Sequence, residues 1–347
     1  MNLIQSMEYR MPWPVARAIF KDCGIPTGRG WGNTESRMAS INQDTSFVEN
    51  INKCTSLYEG HIKHGGKNVK FYSVTNAQLE EIRLLIGTLD VSASIFSDSY
   101  PFIVDETLLE QAESDVHRLV RIDESDRGTY LIFASKRLIE KREVIDDADI
   151  LEGVKEVVGA INELITIRRG PKQLFDVVFI PTSGQYIQLC VDHPKDMPAE
   201  YATLAQRRLR DTFFALIGFD EALEVLNLFP LIRSMYDNGN EGSVVEMDFS
   251  TNTASVKRER MRRSVSDLRT ELYHHAGYTA ISGNIDPYKI AIRWSGNGIG
   301  LSPELILNSS LRMLHAPNPF LFEAEIQSCV TEADYFHVVG RMFSYIQ

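Results

Sequence analysis

Phe175-Asp-Val-Val-Phe-Ile180 and Gln185-Tyr-Ile-Gln-Leu-Cys-Val191 flank the turn Pro181-Thr-Ser-Gly184. Both arms are rich in β-branched and aromatic residues, and proline and glycine punctuate the residues between them. The stretch therefore reads as a tight β-hairpin. A helix bracketed by Pro198 near its start and Gly218 after its end follows, with Leu204, Leu209, Phe213 and Leu216 on its apolar face. Along the chain, strands and helices intermix without a regular βαβ rhythm, which favours an α+β arrangement over a doubly wound sheet.

Outward from this stretch the same order recurs. Strands at His117–Ile122 and Thr129–Ala134 are joined by Glu124-Ser-Asp-Arg-Gly128, and a third runs over Arg137–Ile145. A helix is then expected from about Asp149 to Thr166, capped by Asp147 or Asp149, with a stripe of Ile150, Leu151, Val154, Val157, Val158, Ile161, Leu164 and Ile165. Val69–Val74 reads as a strand, and Thr75 and Gln78 have capping-box spacing before a helix with Leu79, Ile82, Leu85, Ile86 and Leu89 on its buried face. Val244–Phe249 alternates, a long helix is expected over about Ser255–Ala276, stopped by Gly277, and Tyr288–Trp294 is a last strand. The class is α+β: mixed or antiparallel sheets packed with amphipathic helices, and a small N-terminal appendage. The appendage is residues 1–46, followed by α+β units at 47–148, 149–238 and 239–347. Tyr236-Asp-Asn-Gly-Asn-Glu-Gly242 marks the last boundary.

The chain has 347 residues, 44% hydrophobic and 24% charged, which suits a packed core rather than disorder. The longest apolar runs, such as Phe213–Phe219, fall far short of the roughly 20 residues that span a bilayer. The N-terminus has no basic segment followed by a sustained apolar one, so no signal peptide is expected. Cys23, Cys54, Cys190 and Cys329 are widely spaced without a CxxC pair, the pattern of reduced thiols in a cytoplasmic protein. A net charge of −11 argues against global attraction to nucleic acid or anionic lipid. The charge is uneven, however: Asp98–Asp126 is acidic and Lys257–Arg269 is basic.

That basic segment, Lys257-Arg-Glu-Arg-Met-Arg-Arg263 continuing to Arg269, carries the functional expectation. On a helix, Arg258, Arg262 and Arg269 project within about 40° of arc beside a stripe of Met261, Val265, Leu268 and Leu272. Guanidinium groups in a row suit phosphates or carboxylates. Arg207, Arg208 and Arg210 form a second group, and Arg168-Arg169-Gly-Pro-Lys172 a third. The alternatives are a solvated face or an internal match to the acidic stretch. The reading is a non-enzymatic binding subunit of a cytosolic assembly, of a kind that fits prokaryotic genome defence. It contacts nucleic acid or a protein partner through Arg258, Arg262, Arg263, Arg269, Arg207 and Arg208.

A second reading is an enzyme acting on nucleic acid or nucleotide. Arg269-Thr-Glu-Leu-Tyr-His274 resembles the Arg-x4-6-His motif of HEPN ribonucleases. That resemblance implies metal-independent RNA cleavage in which His274 moves a proton beside Arg269, although HEPN domains are all-helical and strands bracket this segment. Glu271, the strand Ile290–Trp294 and Gly296-Asn-Gly-Ile-Gly-Leu-Ser-Pro-Glu304 resemble the nucleotide boxes of GHKL ATPases, with Glu271 placed to activate water. The chain departs from that family in having His275 where the family has Asn, and Gly296 where the family has its adenine-binding Asp.

Glu246 and Asp248 share a strand face that could hold a divalent ion, but no lysine has an acidic residue two positions before it. His61-Ile-Lys-His64 with Cys54 and Cys23 matches no strong zinc spacing. There is no P-loop and no Gly-x-Ser-x-Gly elbow, and neither a metal nor a cofactor is expected. Gly28-Arg-Gly-Trp-Gly32 could offer a phosphate its amides and Arg29, with Trp31 to stack; a docking loop or plain turn is the alternative.

Overall fold

The computed structural model describes residues 3–40, 45–145, 164–194, 197–262, 266–296 and 298–346. Among them ten strands form one sheet: β1 (Lys67–Ser73), β2 (Arg118–Ser125), β3 (Gly128–Ile145), β4 (Leu164–Pro181), β5 (Tyr186–Asp192), β6 (Ser243–Thr251), β7 (Val256–Arg260), β8 (Ile285–Arg293), β9 (Glu304–Asn308) and β10 (Ala324–Gln327). The order is β2-β3-β4-β5-β1-β10-β9-β8-β6-β7. Every pairing between these strands is antiparallel, so of the mixed or antiparallel sheets that the α+β reading allows, the chain has the antiparallel kind.

The helices are α1 (Leu3–Arg10), α2 (Trp13–Asp22), α3 (Trp31–Ala39), α4 (Thr45–His64), α5 (Asn76–Ile86), α6 (Ile95–Ser99), α7 (Glu106–Gln111), α8 (Ala199–Ile217), α9 (Phe229–Asp237), α10 (Leu272–Ala280), α11 (Leu311–Leu314) and α12 (Glu332–Phe343). They lie on both faces of the sheet. Phe175, Val177, Phe179 and Cys190 join a core with Tyr58 of α4, Tyr335 of α12 and the α1–α2 residues Met7, Ile19 and Phe20. Val178, Ile180, Leu189 and Val191 face the opposite way, onto Leu209 and Phe213 of α8 and Ile82 of α5. Covering on both sides explains why the Phe175–Val191 hairpin is apolar at nearly every position instead of alternating with polar residues.

Local signals that needed no distant partner are realised. Thr75 and Gln78 close a reciprocal capping box on α5. Gly218 ends α8 in the left-handed region at φ +67°, which a residue with a Cβ adopts at a cost.

The expected helix over Ser255–Ala276 is corrected. Val256–Arg260 is instead the strand β7, Leu268–Thr270 is a single 3-10 turn, and only Leu272–Ala280 is α-helical. Ala254, at φ +58°, turns the chain back, and the Thr251 amide donates to Ser255 O, so β7 returns along β6. Arginine and lysine are adequate helix formers; pairing with β6 overrides that local preference. The strands expected at Thr129–Ala134 and Arg137–Ile145 are one continuous strand, β3. Of the expected 149–166 helix, residues 149–163 lie outside the described residues, and Leu164–Thr166 begin β4. No helix among the described residues is long and apolar enough to cross a membrane.

Candidate functional site at the sheet edge

β7 ends the ten-strand order, so its outer backbone edge has no strand partner among the described residues. Residues along it alternate between the two faces of the sheet.

On one face, Arg258 stands opposite Asp248 and Arg260 opposite Glu246. The Nε–carboxylate distances are 3.5 and 3.6 Å, and the two arginine side chains are 79% and 76% exposed. Lys289 also binds Glu246. Partial burial pushes the Asp248 carboxyl upward, against the pull of Lys289 and Arg258. Three cations thus share two carboxylates, and the guanidinium groups remain largely available to a further anion. Glu246 and Asp248 do share a face, and these ion pairs occupy it. Arg262 is exposed just beyond the strand, and Arg263 lies outside the described residues.

On the other face, a cleft of about 540 Å3 opens between β7 and α10. Phe249, Tyr278, Ile281 and Ile285 make its walls apolar, and Lys257, Glu259 and Tyr273 add polar groups. His274 is buried beside it: Nδ1 lies 2.6 Å from Glu259 Oε2, and Nε2 lies 2.8 Å from the Tyr236 hydroxyl. With Tyr236 O–H donating to Nε2 and Nδ1–H donating to Glu259, both ring nitrogens are engaged and all three groups are satisfied. Burial pushes the Tyr236 hydroxyl well above its ordinary pKa, so it keeps its proton. The arrangement ties β7, α9 and α10 together.

Arg269 faces elsewhere. It donates to the carbonyl oxygens of Asn238, Glu241 and Gly242 and pairs with Asp267, pinning the 236–242 segment. Glu271 caps α10 by accepting from the His274 amide at 2.8 Å. Arg269, Glu271 and His274 therefore each have a positioning duty. Among the described residues, the element that follows β8 is its antiparallel partner β9 and not a helix, so the glycines after Trp294 lead to no helix N-terminus that could take a phosphate.

The remaining arginines are not assembled with β7. Arg207 and Arg208 sit on α8, which packs on β5. That strand is six positions from β7, roughly 29 Å at about 4.8 Å per strand. Arg208 pairs with Asp115 of the acidic stretch. β2, also in that stretch, ends the sheet opposite β7, so the β7 arginines make no internal match to it. Trp31 packs its ring edge-on against Trp13 and Phe20 at centroid distances of 5.1 and 6.2 Å, a core contact instead of a stacking platform.

Arg260, Glu259 and Tyr236 escaped the sequence reading. A helical projection groups Arg258 with Arg262 and leaves Arg260 out, whereas strand alternation sets Arg260 on the same face as Arg258. The turn-forming run Thr251-Asn-Thr-Ala-Ser255 was the signal that could have shown the hairpin. No protein-family model, curated protein or solved structure matches this chain.

Proposed function

We propose that this chain is a binding protein that takes an extended acidic segment of a protein partner as an additional strand along β7. The observation that supports this reading is an open strand edge with exposed arginines on one face and an apolar cleft on the other. Strand addition draws affinity from main-chain hydrogen bonds and specificity from alternate side chains. Acidic residues of the incoming strand would meet Arg258 and Arg260, and the intervening apolar ones would enter the cleft beside Phe249 and Tyr278. Arg262 would extend the cationic row. Charges on an edge strand also deter self-association, which suits an edge kept open for a chosen partner.

The nucleic-acid reading rests on the same arginines, but an apolar cleft serves a peptide side chain more directly than a phosphate backbone. The test is fluorescence anisotropy with a labelled peptide alternating glutamate and leucine, beside single-stranded DNA and RNA, at low and near-physiological salt. The expected result is salt-sensitive peptide binding that is lost in Arg258→Ala/Arg260→Ala/Arg262→Ala with folding intact. Binding of RNA or DNA and not of peptide would replace the protein partner with nucleic acid. RNA cleavage that disappears in His274→Ala while the fold persists would favour the enzyme reading.

A further inference from the structure

The ladder between β6 and β7 runs one bond past Arg260, where the Met261 amide donates to Val245 O at 2.7 Å. Alternation along that extension brings Arg262 onto the face that holds Arg260, with Met261 between them packed against the core. A cleft of about 410 Å3 opens at this end of the strand, and Arg293 of β8 and Glu304 of β9 stand in its wall with Arg260, Arg262 and Glu246.

Each of the three guanidinium groups has donors to spare. Arg260, its side chain 76% exposed, reaches Glu246 only at 3.6 Å, and Arg262 is exposed. The Arg293 side chain is 24% exposed. Its Nε donates to Glu304 Oε2 at 2.9 Å, and no hydrogen bond to a described residue engages its two terminal nitrogens. Glu304 thus fixes one guanidinium on an inner strand, while the other two come from the edge.

Around the cleft Arg260, Arg262, Arg293 and Lys289, which binds Glu246, stand against the carboxylates of Glu246 and Glu304. Four cations against two anions leave two positive charges, and among the described residues no histidine lines the cleft. One further carboxylate would cancel half of that excess. A phosphate monoester, at about −1.5 to −2 near pH 7, cancels nearly all of it, and its oxygens suit guanidinium forks. Reach decides which monoester. β6 and β7 lie between β8 and a strand added outside β7, so Arg293 is three strand spacings from that strand, roughly 14 Å at about 4.8 Å each. A phosphoserine carries its phosphate a single methylene from its backbone, whereas a phosphotyrosine carries it beyond a whole ring. Val245 and Met261 offer that ring apolar surface, and guanidinium groups favour its face.

We infer, resting on the strand-addition reading, that this cleft takes a phosphotyrosine at the N-terminal end of the segment added along β7, its phosphate among Arg260, Arg262 and Arg293. Every strand pairing among the described residues is antiparallel, and an antiparallel partner brings its N-terminal end to the Arg260 end of β7.

The probes are labelled glutamate–leucine peptides whose first glutamate is replaced by tyrosine, phosphotyrosine or phosphoserine, and one with phosphotyrosine at the last glutamate instead. Fluorescence anisotropy on the full chain at near-physiological salt reads their affinities. Phosphorylating the first-position tyrosine should tighten binding about tenfold, the scale of one hydrogen bond between charged groups. Neither phosphoserine nor the last-position phosphotyrosine should match it. Arg293→Gln should erase the gain. Because loss of that arginine can disturb Glu304, Arg262→Ala, at an exposed position, is the second arm and should remove most of it. A tyrosine peptide that binds but gains nothing from phosphorylation would overturn the phosphate site and leave strand addition standing. So would a gain that is the same at either end, equal with phosphoserine, or unchanged in Arg293→Gln and Arg262→Ala. No binding of any of these peptides would remove the strand-addition reading and the phosphotyrosine site with it.

Discussion

Glu259 on the edge strand and His274 on the helix beside it are joined by a 2.6 Å contact between Oε2 and Nδ1, although 15 residues separate them in the chain. This contact holds the floor of the cleft against β7, and Tyr236 secures the other side of the imidazole. The edge strand is thus anchored to the body from one face, while its outer backbone edge has no strand partner among the described residues.

His274→Ala should lower stability by about 2–3 kcal/mol, because it leaves the Tyr236 hydroxyl and the Glu259 carboxylate without their shared partner. Glu259→Gln, which keeps an acceptor oxygen, should cost about 1 kcal/mol. Urea unfolding monitored by circular dichroism checks both. A fully stable His274→Ala would contradict the tie.

Arginines of one sequence cluster should behave oppositely. Arg269→Ala removes donors from three carbonyl oxygens and should cost about 3 kcal/mol in urea unfolding. Arg258→Ala removes only a long ion pair from an exposed side chain and should change stability by less than about 0.5 kcal/mol. Equal effects would undo the division between a pinning arginine and a binding one.

His61 and His64 set a pH dependence. Burial, with Arg10 acting on His61 and Lys63 on His64, lowers both imidazoles to about 3. Their unfolded value is about 6.5, so below that pH the unfolded chain binds protons that the folded chain refuses. Stability from this source is complete above about pH 6.5 and falls as the pH drops toward 3, by about 2 kcal/mol for each histidine at pH 5. Asp192 adds a separate loss at lower pH: burial alone would raise its carboxyl, but Arg10 and Lys67 hold it well below the usual carboxylate range, so its contribution fades below about pH 4. Urea midpoints at pH 7 and pH 5 should differ in the wild type and differ less in His61→Phe.

What the sequence made legible was local. The Phe175–Val191 hairpin, the Thr75–Gln78 cap and the Pro198–Gly218 brackets each depend on residues close in the chain. The β7 strand was not legible in the same way, because Lys257-Arg-Glu-Arg260 has no apolar alternation and acquires its conformation from β6. Tyr236, Glu259 and His274 come from three separate elements, and no spacing announces their meeting. Arg269 reads as a candidate anion ligand from its neighbours in sequence, whereas its fork is filled by carbonyl oxygens of a segment 27 to 31 residues away.

If β7 receives a partner strand, backbone amide hydrogen exchange of Val256–Arg260 reports it. With the glutamate–leucine peptide bound, the outward-facing amides of this strand should exchange more slowly, and the change should vanish in Arg258→Ala/Arg260→Ala/Arg262→Ala. Peptide binding that leaves these amides unchanged while protecting another surface would contradict the account.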